Sequence, residues 1–257
     1  MEGVQIVGSL DFATLLFIIF TLFFVGLVFH LLKEGRREGF PLESDETGRL
    51  ESIGGTWLPD AKTYHLADGR TVQKPDGLRD PDYSGKMKRM AKWAGAPIEP
   101  VGDPMQSGIG PGAYALREDI PDVTHENLPK IVPMSSMPDF SVAEKNVDPR
   151  GLDVIAADGA SAGKISDIWV DRAEALVRYY EVELAADGRK VLLPYAFANV
   201  KGKAGKVLAP SITAAQFAGV PAHASPNQVT RLEEEKISAY YAAGTLYATP
   251  RRESPVI

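Results

Sequence analysis

Five carboxylates are concentrated in one short stretch of the chain. The stretch GKISDIWVDRAEALVRYYEVEL, residues 163–184, contains Asp167, Asp171, Glu174, Glu181 and Glu183. Carboxylates that lie close together raise one another's pKa, and burial raises it further. Such a group titrates as a unit and can hold protons near neutral pH. The stretch therefore predicts either a proton-handling site or the solvated, charged edge of a small β-domain.

The sequence offers few other residue patterns that would support catalysis. It has no cysteine, which excludes disulfides, thiolate nucleophiles and cysteine-ligated metals. Its four histidines are not spaced as zinc ligands. It has no phosphate-binding loop of the Walker or Rossmann type, no G-x-S-x-G elbow and no His-Glu-x-x-His motif. This favours a binding or scaffold role over an anchored enzyme, and the net charge of -6 gives no basis for nucleic-acid binding.

The acids must be positioned by a chain that begins with a long apolar run. Residues 12–32 read FATLLFIIFTLFFVGLVFHLL, with no Asp, Glu, Lys or Arg. About 20 helical residues cross the roughly 30 Å hydrocarbon core of a bilayer, so this run predicts a transmembrane helix. The alternatives are a buried core helix and a cleavable signal peptide. The preceding MEGVQIVGSLD lacks the basic residues that a signal peptide carries.

The charges that flank this run predict its orientation. All 28 Lys and Arg follow residue 32, beginning with Lys33, Arg36 and Arg37. The positive-inside rule then places residues 1–11 in the periplasm and the large C-terminal part in the cytoplasm. The same three basic side chains are candidates for contact with anionic lipid headgroups.

Residues 33–139 are predicted to form a membrane-proximal extended segment with a hairpin near residues 62–74. Asp68-Gly69 lies between two β-like runs, which is typical of a type I′ turn. Residues 75–149 contain eleven of the 19 prolines and show weak periodicity. We interpret them as an ordered, extended segment that lies on a partner protein; a disordered linker is the alternative.

Residues 140–257 are predicted to form a small antiparallel β-barrel with a C-terminal helix. Five or six short strands follow one another at hairpin spacing. The helix is predicted at about residues 226–243, with Ser225 and Gln228 as its capping pair and Gly244 as its stop. Its Glu233–Glu235 run is either a solvated face or part of a site. The predicted fold class is therefore a membrane-anchored α+β protein.

Several strings of the sequence, in this order, resemble one known family. They are the apolar run followed by RREGFPLE, then PVGDPMQSGIGPGAYALRED, PKIVPM, DIWVDRAE, YYEVEL and LEEEKISAYYAAGTLYATP. The chain resembles the H subunit of the purple-bacterial photosynthetic reaction centre over nearly its full length. Its later part is similar to the PRC-barrel fold.

The resemblance implies a role within a larger complex. The family member binds no pigment or quinone of its own. It caps the cytoplasmic face of the L and M subunits, which hold bacteriochlorophyll, bacteriopheophytin, quinones and a non-haem iron. It stabilises the quinone sites and helps to deliver protons to the secondary quinone. Further expected partners are membrane lipids, a cytochrome subunit and a light-harvesting ring, and the expected location is the bacterial inner, photosynthetic membrane.

The resemblance also assigns roles to individual residues by motif position. The proton-transfer candidates are Asp171, Glu174, Asp119, Asp122, His125, Glu126 and Glu234, and the residues expected to tune them are Arg117, Lys130 and Arg178. Some members of the family carry a His-x-His motif between the positions of Asp122 and Lys130. This chain departs from them, because its residues 124–128 read Thr-His-Glu-Asn-Leu. No metal site is therefore predicted. Glu181 and Glu183 are expected to be solvated.

Two readings compete with this one. A membrane-anchored PRC-barrel adaptor of another assembly would keep the anchor and the fold but would not associate with pigments. An anchored enzyme would need a catalytic constellation that the sequence does not show.

Overall fold

The computed structural model describes residues 5–7, 10–40, 58–76, 85–93 and 96–253. Parts of the predicted N-terminal segment (1–4, 8–9) and residues 41–57, 77–84, 94–95 and 254–257 lie outside the described residues. The chain divides into two compact units, Met1–Ser84 and Gly85–Ile257.

The described part of the first unit holds one long helix and two short hairpins. Its elements are β1 (Gln5–Val7), β2 (Leu10–Asp11), α1 (Phe12–Glu34), β3 (Lys62–His65) and β4 (Thr71–Lys74). The strands pair antiparallel, β1 with β2 and β3 with β4.

Helix α1 begins at a carboxylate cap and is apolar on all sides. The Asp11 side chain accepts a hydrogen bond of 2.7 Å from the Thr14 amide, which satisfies one of the free N–H groups of the first turn. Its large apolar side chains, such as Phe17 and Leu22, are exposed. Among the described residues, α1 is the one helix long and apolar enough to cross a membrane.

The turn of the β3–β4 hairpin is not the predicted type I′ turn. The amide of Leu66 donates to Arg70 O at 2.9 Å and that of Gly69 donates to Leu66 O at 3.0 Å. Gly69 has a φ of +83°, whereas Asp68 is not among the residues with positive φ. A type I′ turn needs positive φ at both central residues. The loop is therefore one residue longer, with glycine in the left-handed position.

The second unit contains a mixed sheet, a C-terminal helix and several 3-10 turns. Its strands are β5 (Met87–Arg89), β6 (Ile98–Pro100), β7 (Ile131–Pro133), β8 (Asp153–Ala156), β9 (Ser161–Asp171), β10 (Leu176–Leu184), β11 (Lys190–Pro194), β12 (Asn199–Lys201) and β13 (Lys206–Ala209), and its helix is α2 (Arg231–Tyr247). The 3-10 turns are Gly110–Gly112, Met134–Ser136, Tyr195–Phe197, Gly202–Ala204 and Ala215–Gly219.

Strand β9 is the central strand of the main sheet, because it is long enough to pair with two strands on one of its edges. Its C-terminal half pairs with β7 and its N-terminal half with β8, while β10 follows the other edge. Trp169 and Ile168 of this strand are fully buried in the core, with Leu192 of β11 and Tyr241 of α2. Both halves of β9 are therefore fixed by neighbours, and so is the turn that follows it.

The prediction of an antiparallel barrel was only partly right. The strand order is β11-β10-β9-β8-β13-β12, and β13 runs parallel to β8. In the described part of the chain the sheet ends at β11 and β12 and does not close into a barrel. These two end strands are nevertheless joined by only a few residues, from Pro194 to Asn199. That stretch spans at most about 19 Å, whereas six flat strands would extend about 24 Å, so the sheet must curl.

Part of the proline-rich segment packs on the chain's own sheet and helix. β7 joins the sheet through β9, and Pro121 forms a bridge with Thr230. A side chain added at Gly112 would lie 3.2 Å from Ala243 of α2, so the backbone approaches the helix closely there. These residues of the segment, which was predicted to lie on a partner protein, therefore also pack on the chain itself, and the compact unit begins at Gly85.

Helix α2 begins and ends later than predicted. Its N-terminal cap is Thr230, which accepts the Glu233 amide at 3.1 Å while the Glu233 carboxylate accepts the Thr230 amide at 2.8 Å. Ser225 and Gln228 instead form an isolated bridge outside the helix. The helix continues through Gly244 because the missing side chain lets it lie on the Ser211 backbone, 2.6 Å from the position of an added Cβ.

Candidate functional site

The tight turn between β9 and β10 positions two of the predicted proton-transfer residues. Asp171 ends β9, and its Oδ1 accepts the amides of Ala173 at 2.9 Å and Glu174 at 3.1 Å. Ala175 closes the turn with a φ of +54°. The side chain of Asp171 is 2 % exposed, whereas that of Glu174 is 52 % exposed. The turn thus holds one buried carboxylate beside one that reaches solvent.

Lys130 joins three of the predicted acids into one cluster. Its Nζ lies 3.1 Å from Glu174 Oε1, 3.3 Å from Asp171 Oδ2 and 4.0 Å from Asp122 Oδ2. The backbone fixes this arrangement, because the Lys130 amide donates to Asp122 O at 2.7 Å and the Arg172 amide donates to Lys130 O at 2.9 Å. Hydrogen bonds to Glu174 and Asp171 raise the pKa of Lys130, so it stays cationic. We call these four residues the Lys130 cluster.

A polar cleft of about 460 Å³ lies between β10 and the first turns of α2. It is lined by Arg117, Asp122, Arg178, Tyr179, Arg231, Glu234, Glu235 and Ser238. Asp122 belongs both to this cleft and to the Lys130 cluster. Four predicted residues, Arg117, Asp122, Arg178 and Glu234, are therefore brought together from three separate parts of the sequence.

Glu234 is the most protected acid of the cleft. Its side chain is 17 % exposed, and its Oε2 accepts a hydrogen bond of 2.7 Å from the Tyr179 hydroxyl. Burial raises the pKa of Glu234; the Tyr179 hydrogen bond and the Arg178 guanidinium, 3.9 Å away, oppose this rise. Asp122 and Asp171 raise it further through charge repulsion. Burial also raises the pKa of Tyr179, which stays protonated as a donor.

Ion pairs hold the rim of the cleft. Arg117 Nε donates to Glu235 Oε1 at 2.7 Å, and Arg231 lies 3.4 Å from Asp122. Asp119 accepts a hydrogen bond of 2.6 Å from the Thr230 hydroxyl at the N-terminus of α2. Asp119 and Arg117 are thus placed where they anchor the proline-rich segment to the helix.

His125 and Glu126 lie at the tip of a separate loop. The loop is closed by the Thr124 amide, which donates to Leu128 O at 2.9 Å, and by Asn127 with a φ of +61°. The His125 and Glu126 side chains are 91 % and 65 % exposed, and His125 Nε2 lies 3.8 Å from Glu126 Oε1. These two candidates pair with each other at the surface of the unit.

The geometry supports proton exchange between solvent and buried groups. Glu174 and Asp122 are exposed carboxylates that share Lys130 with the buried Asp171. Asp122 also lines the cleft in which Glu234 holds its proton more tightly than a free glutamate does. Within the described ranges, no three Asp, Glu or His side chains are grouped as metal ligands.

The expectation that Glu181 is solvated was wrong. Glu181 is 5 % exposed and accepts hydrogen bonds from Ser166 at 2.6 Å and from Trp169 Nε1 at 3.3 Å. Lys190 lies 2.7 Å from it, and these three partners together lower the pKa of Glu181 against the opposing effect of burial. Glu183 is exposed, as expected. β10 is thus buried on both faces from Tyr179 to Val182, and the five acids of the stretch do not form one group.

The three basic residues at the end of α1 differ in their exposure and in their contacts within the unit. Arg37 is 9 % exposed and donates to the carbonyls of Asp60 and Lys74 and to the Glu34 carboxylate. Arg36 lies over the Phe40 ring at 6.0 Å. Lys33 is partly exposed, 3.8 Å from Asp60. The Arg37 guanidinium is bound by groups of its own unit. Lys33 and Arg36 are therefore the better candidates for contact with lipid headgroups.

Sequence reasoning missed several residues of the cleft. Tyr179, Arg231 and Glu235 line it, and none of them was a candidate. Tyr179 was missed because it lies two residues before Glu181 in β10, and Glu181 and Glu183 were expected to be solvated. Arg231 and Glu235 were missed because the helix was predicted to begin five residues too early, and the Glu233–Glu235 run could be a solvated face. In the structure each of these three glutamates has a partner.

Two family models match the chain. One, described as the photosynthetic reaction centre H-chain N-terminal region, matches residues 4–136. The other, described as the PRC-barrel domain, matches residues 143–216. The first match covers just over half of the chain's 257 residues. The second match begins after β7 and includes the strands β8 to β13.

Proposed function

The chain belongs to the family of photosynthetic reaction-centre H chains and is a subunit of such a complex, and from this premise we propose its role there. It caps the cytoplasmic face of the L and M subunits and stabilises their quinone sites. It helps to deliver protons to the secondary quinone during light-driven electron transfer. The chain itself is not an enzyme. The pigments, the quinones and the non-haem iron are held by the partner subunits.

We further propose that α1 anchors the chain in the photosynthetic inner membrane. The N-terminus is periplasmic and the second unit is cytoplasmic, because the basic residues all follow the span. The apolar, exposed surface of α1 supports this attachment. Lys33 and Arg36 contact lipid headgroups at its cytoplasmic end. A cytochrome subunit and a light-harvesting ring are further partners in the same assembly.

One observation carries the proton-delivery role, namely the Lys130 cluster and its link to Glu234 through Asp122. Complete reduction of a buried quinone consumes two protons, and each must cross the protein that covers the site. A route needs titratable groups that lead from solvent inward, with pKa values tuned by burial and by neighbouring charges. Glu174 is exposed to solvent, Asp171 and Glu234 are largely buried, and of these three acids it is Glu234 whose pKa is raised by burial.

The test uses the intact complex with the double variant Asp171→Asn and Glu174→Gln. Both substitutions keep the shape of the side chain and remove its exchangeable acidic proton. The second, proton-coupled electron transfer to the secondary quinone should slow at least tenfold, because general acid–base groups contribute about 10²–10⁴-fold. Primary charge separation should not change, since it moves no proton.

The matched control is Glu144→Gln, which changes an exposed carboxylate in a loop of the same unit. It should leave both electron transfers unchanged. An unchanged second transfer in the double variant, with an intact complex, would assign Asp171 and Glu174 a structural role only.

Membership in the complex is tested separately by purifying the tagged chain from mildly solubilised membranes. A reversible near-infrared bleach of bacteriochlorophyll in the light-minus-dark spectrum is expected. A colourless preparation containing other proteins would instead favour the PRC-barrel adaptor of another assembly.

A further inference from the structure

The hairpin between β12 and β13 concentrates three lysines that the proposed proton route does not use. Lys201, Lys203 and Lys206 lie within six residues, and Lys201 is the direct cross-strand partner of Lys206. Among the residues that the structure describes, none of the three has an ion pair or a hydrogen bond from its side chain. Lys201 and Lys203 are exposed and Lys206 is partly exposed.

The tip of this hairpin has a defined shape. Gly202–Ala204 form a 3-10 turn, and the Gly205 amide donates to Gly202 O at 3.1 Å. Gly205 has a φ of +62°, which favours glycine. An added Cβ at Gly202 would lie 2.3 Å from Val147 Cγ2, so the tip rests on the loop that carries Val147. The three ammonium groups are therefore presented from a fixed backbone.

These lysines form the basic end of a charged row that crosses the sheet. The paired residues are, in order, Lys201, Lys206, Asp153, Lys164, Glu183 and Lys190. Direct cross-strand partners point to the same face of a sheet, so the six side chains share one face. Signs alternate from Lys206 to Lys190, whereas the two residues at the β12 end are both positive. The positive charge is thus concentrated at one edge.

The like-charged Lys201–Lys206 pair is unfavourable for the pairing of β12 with β13, although Asp153 faces Lys206 on its other side. Like charges directly opposite each other in a strand pair destabilise it. A lysine on an edge strand such as β12 can discourage unwanted strand pairing. That explanation does not cover Lys203 in the turn, nor Lys206 on β13, which lies between β12 and β8. A bound anionic surface would relieve the repulsion among all three.

We propose that the Lys201–Lys206 hairpin is a docking surface for anionic phospholipid headgroups. The inference rests on the membrane attachment in the proposed function, because a tethered unit meets lipid phosphates at high local concentration. It adds a second lipid contact, in the PRC-barrel region, to the one at the end of α1.

The chemistry of the tip favours a lipid surface over an acidic protein. Protein interfaces are enriched in aromatic residues and arginine and depleted of lysine at their core. This tip carries three lysines, two glycines and one alanine, and no aromatic side chain. Flexible ammonium groups suit a fluid array of phosphates, which needs charge rather than a fixed contact geometry.

The test exploits the absence of cysteine from the chain. Ala204→Cys at the tip is labelled with a fluorophore in the full chain within its complex. Ala160→Cys, in the β8–β9 turn at the opposite end of the sheet, is the matched control, because both alanines are exposed. Signal from the complex without the introduced cysteine is subtracted. The complexes are reconstituted into phosphatidylcholine vesicles with or without phosphatidylglycerol, each containing a headgroup-quencher lipid.

Quenching at position 204 should be stronger in the vesicles that contain phosphatidylglycerol and should disappear at about 1 M salt, where the Debye length is about 3 Å. Each lysine near an anionic surface changes the bound-to-free ratio about fivefold, so the Lys→Gln triple variant at 201, 203 and 206 should lower it roughly a hundredfold. The label at position 160 should not respond to lipid composition.

Several outcomes would overturn the inference. Equal quenching at 204 and 160, or quenching that survives the triple variant, would show that the lysines do not contact lipid. Protection of position 204 that is independent of lipid composition would assign the tip to a protein partner instead. Flotation of the full chain alone with the vesicles is measured in parallel. Loss of flotation would refute the membrane attachment itself, whereas flotation without quenching would refute only the docking surface.

Discussion

Replacing Lys130 with methionine tests how the Lys130 cluster is held together. The substitution keeps most of the apolar stem and removes the cation that faces Asp171, Glu174 and Asp122. Asp171 is 2 % exposed and would be left as a buried carboxylate without a counter-ion. We expect the chain to lose stability at neutral pH for this reason.

The magnitude follows from the burial of the two partners. Breaking a fully buried ion pair costs about 3–5 kcal/mol, and breaking an exposed pair costs about 0–1 kcal/mol. The side chain of Lys130 is 23 % exposed, and Asp171 keeps its hydrogen bonds from Ala173 and Glu174. These features place the expected loss at about 2–3 kcal/mol, which lowers Tm by roughly 5–10 °C.

The assay is reversible unfolding of the full chain in detergent, followed by tryptophan fluorescence, which should change when the fully buried Trp169 becomes exposed to solvent. A double-mutant cycle combines Lys130→Met with Asp171→Asn, which removes the charge that needs a partner. The coupling energy between the two sites should be at least about 1 kcal/mol.

The matched control is Lys88→Met, which breaks the Lys88–Glu99 ion pair in the same unit. That pair is shorter, at 2.9 Å, but its side chains are 63 % and 36 % exposed. Its loss should cost less than about 1 kcal/mol. Equal losses in the two variants, or a coupling energy near zero, would refute the argument that burial of Asp171 decides the magnitude.

Three further predictions concern α2 and the cleft. Thr230→Ala should cost about 1 kcal/mol in denaturant unfolding, and Ser225→Ala less than about 0.5 kcal/mol, because Thr230 caps the helix; the reverse order would contradict the assigned cap. Gly244→Ala should destabilise the fold by about 2 kcal/mol, since the new Cβ would lie 2.3 Å from Ile212 Cγ2; an unchanged Tm would show that the helix can shift. Burial raises the pKa of Glu234 above 4.5, so wild-type stability should fall as pH rises from about 4.5 through that pKa. Glu234→Gln should remove this part of the pH dependence, and identical pH profiles would contradict it.

Local sequence features predicted the elements that depend on short-range physics. The apolar run 12–32 coincides with most of α1, Phe12–Glu34, because an uncharged run of this length has few other stable conformations. The hairpin strands near residues 62–74 follow from the β-like runs on either side of Asp68-Gly69. The exact turn was not predictable, because the longer loop and the type I′ turn use the same Asp-Gly signal.

The main errors came from contacts between residues far apart in the chain. Glu181 was expected to be solvated, but Lys190 and Trp169 contact it once β9, β10 and β11 are paired. The start of α2 shifted to Thr230, where Glu233 completes a capping box. Gly244 was predicted to end the helix. In the structure it lies inside the helix, at a position where the Ser211 backbone leaves no room for a side chain.

The sequence by itself determined the class of the protein and the identity of most candidate acids. The apolar run, the position of the basic residues and the sequence motifs are properties of the linear sequence. They can be recognised without knowledge of the fold. The tertiary structure decided which acids meet. Lys130, Asp171 and Asp122 are up to 49 residues apart in the sequence. They come together because β7 pairs with the end of β9, where Ile131 lies opposite Asp171. Burial then sets the pKa of Glu234, and burial depends on packing that no single stretch of the chain contains.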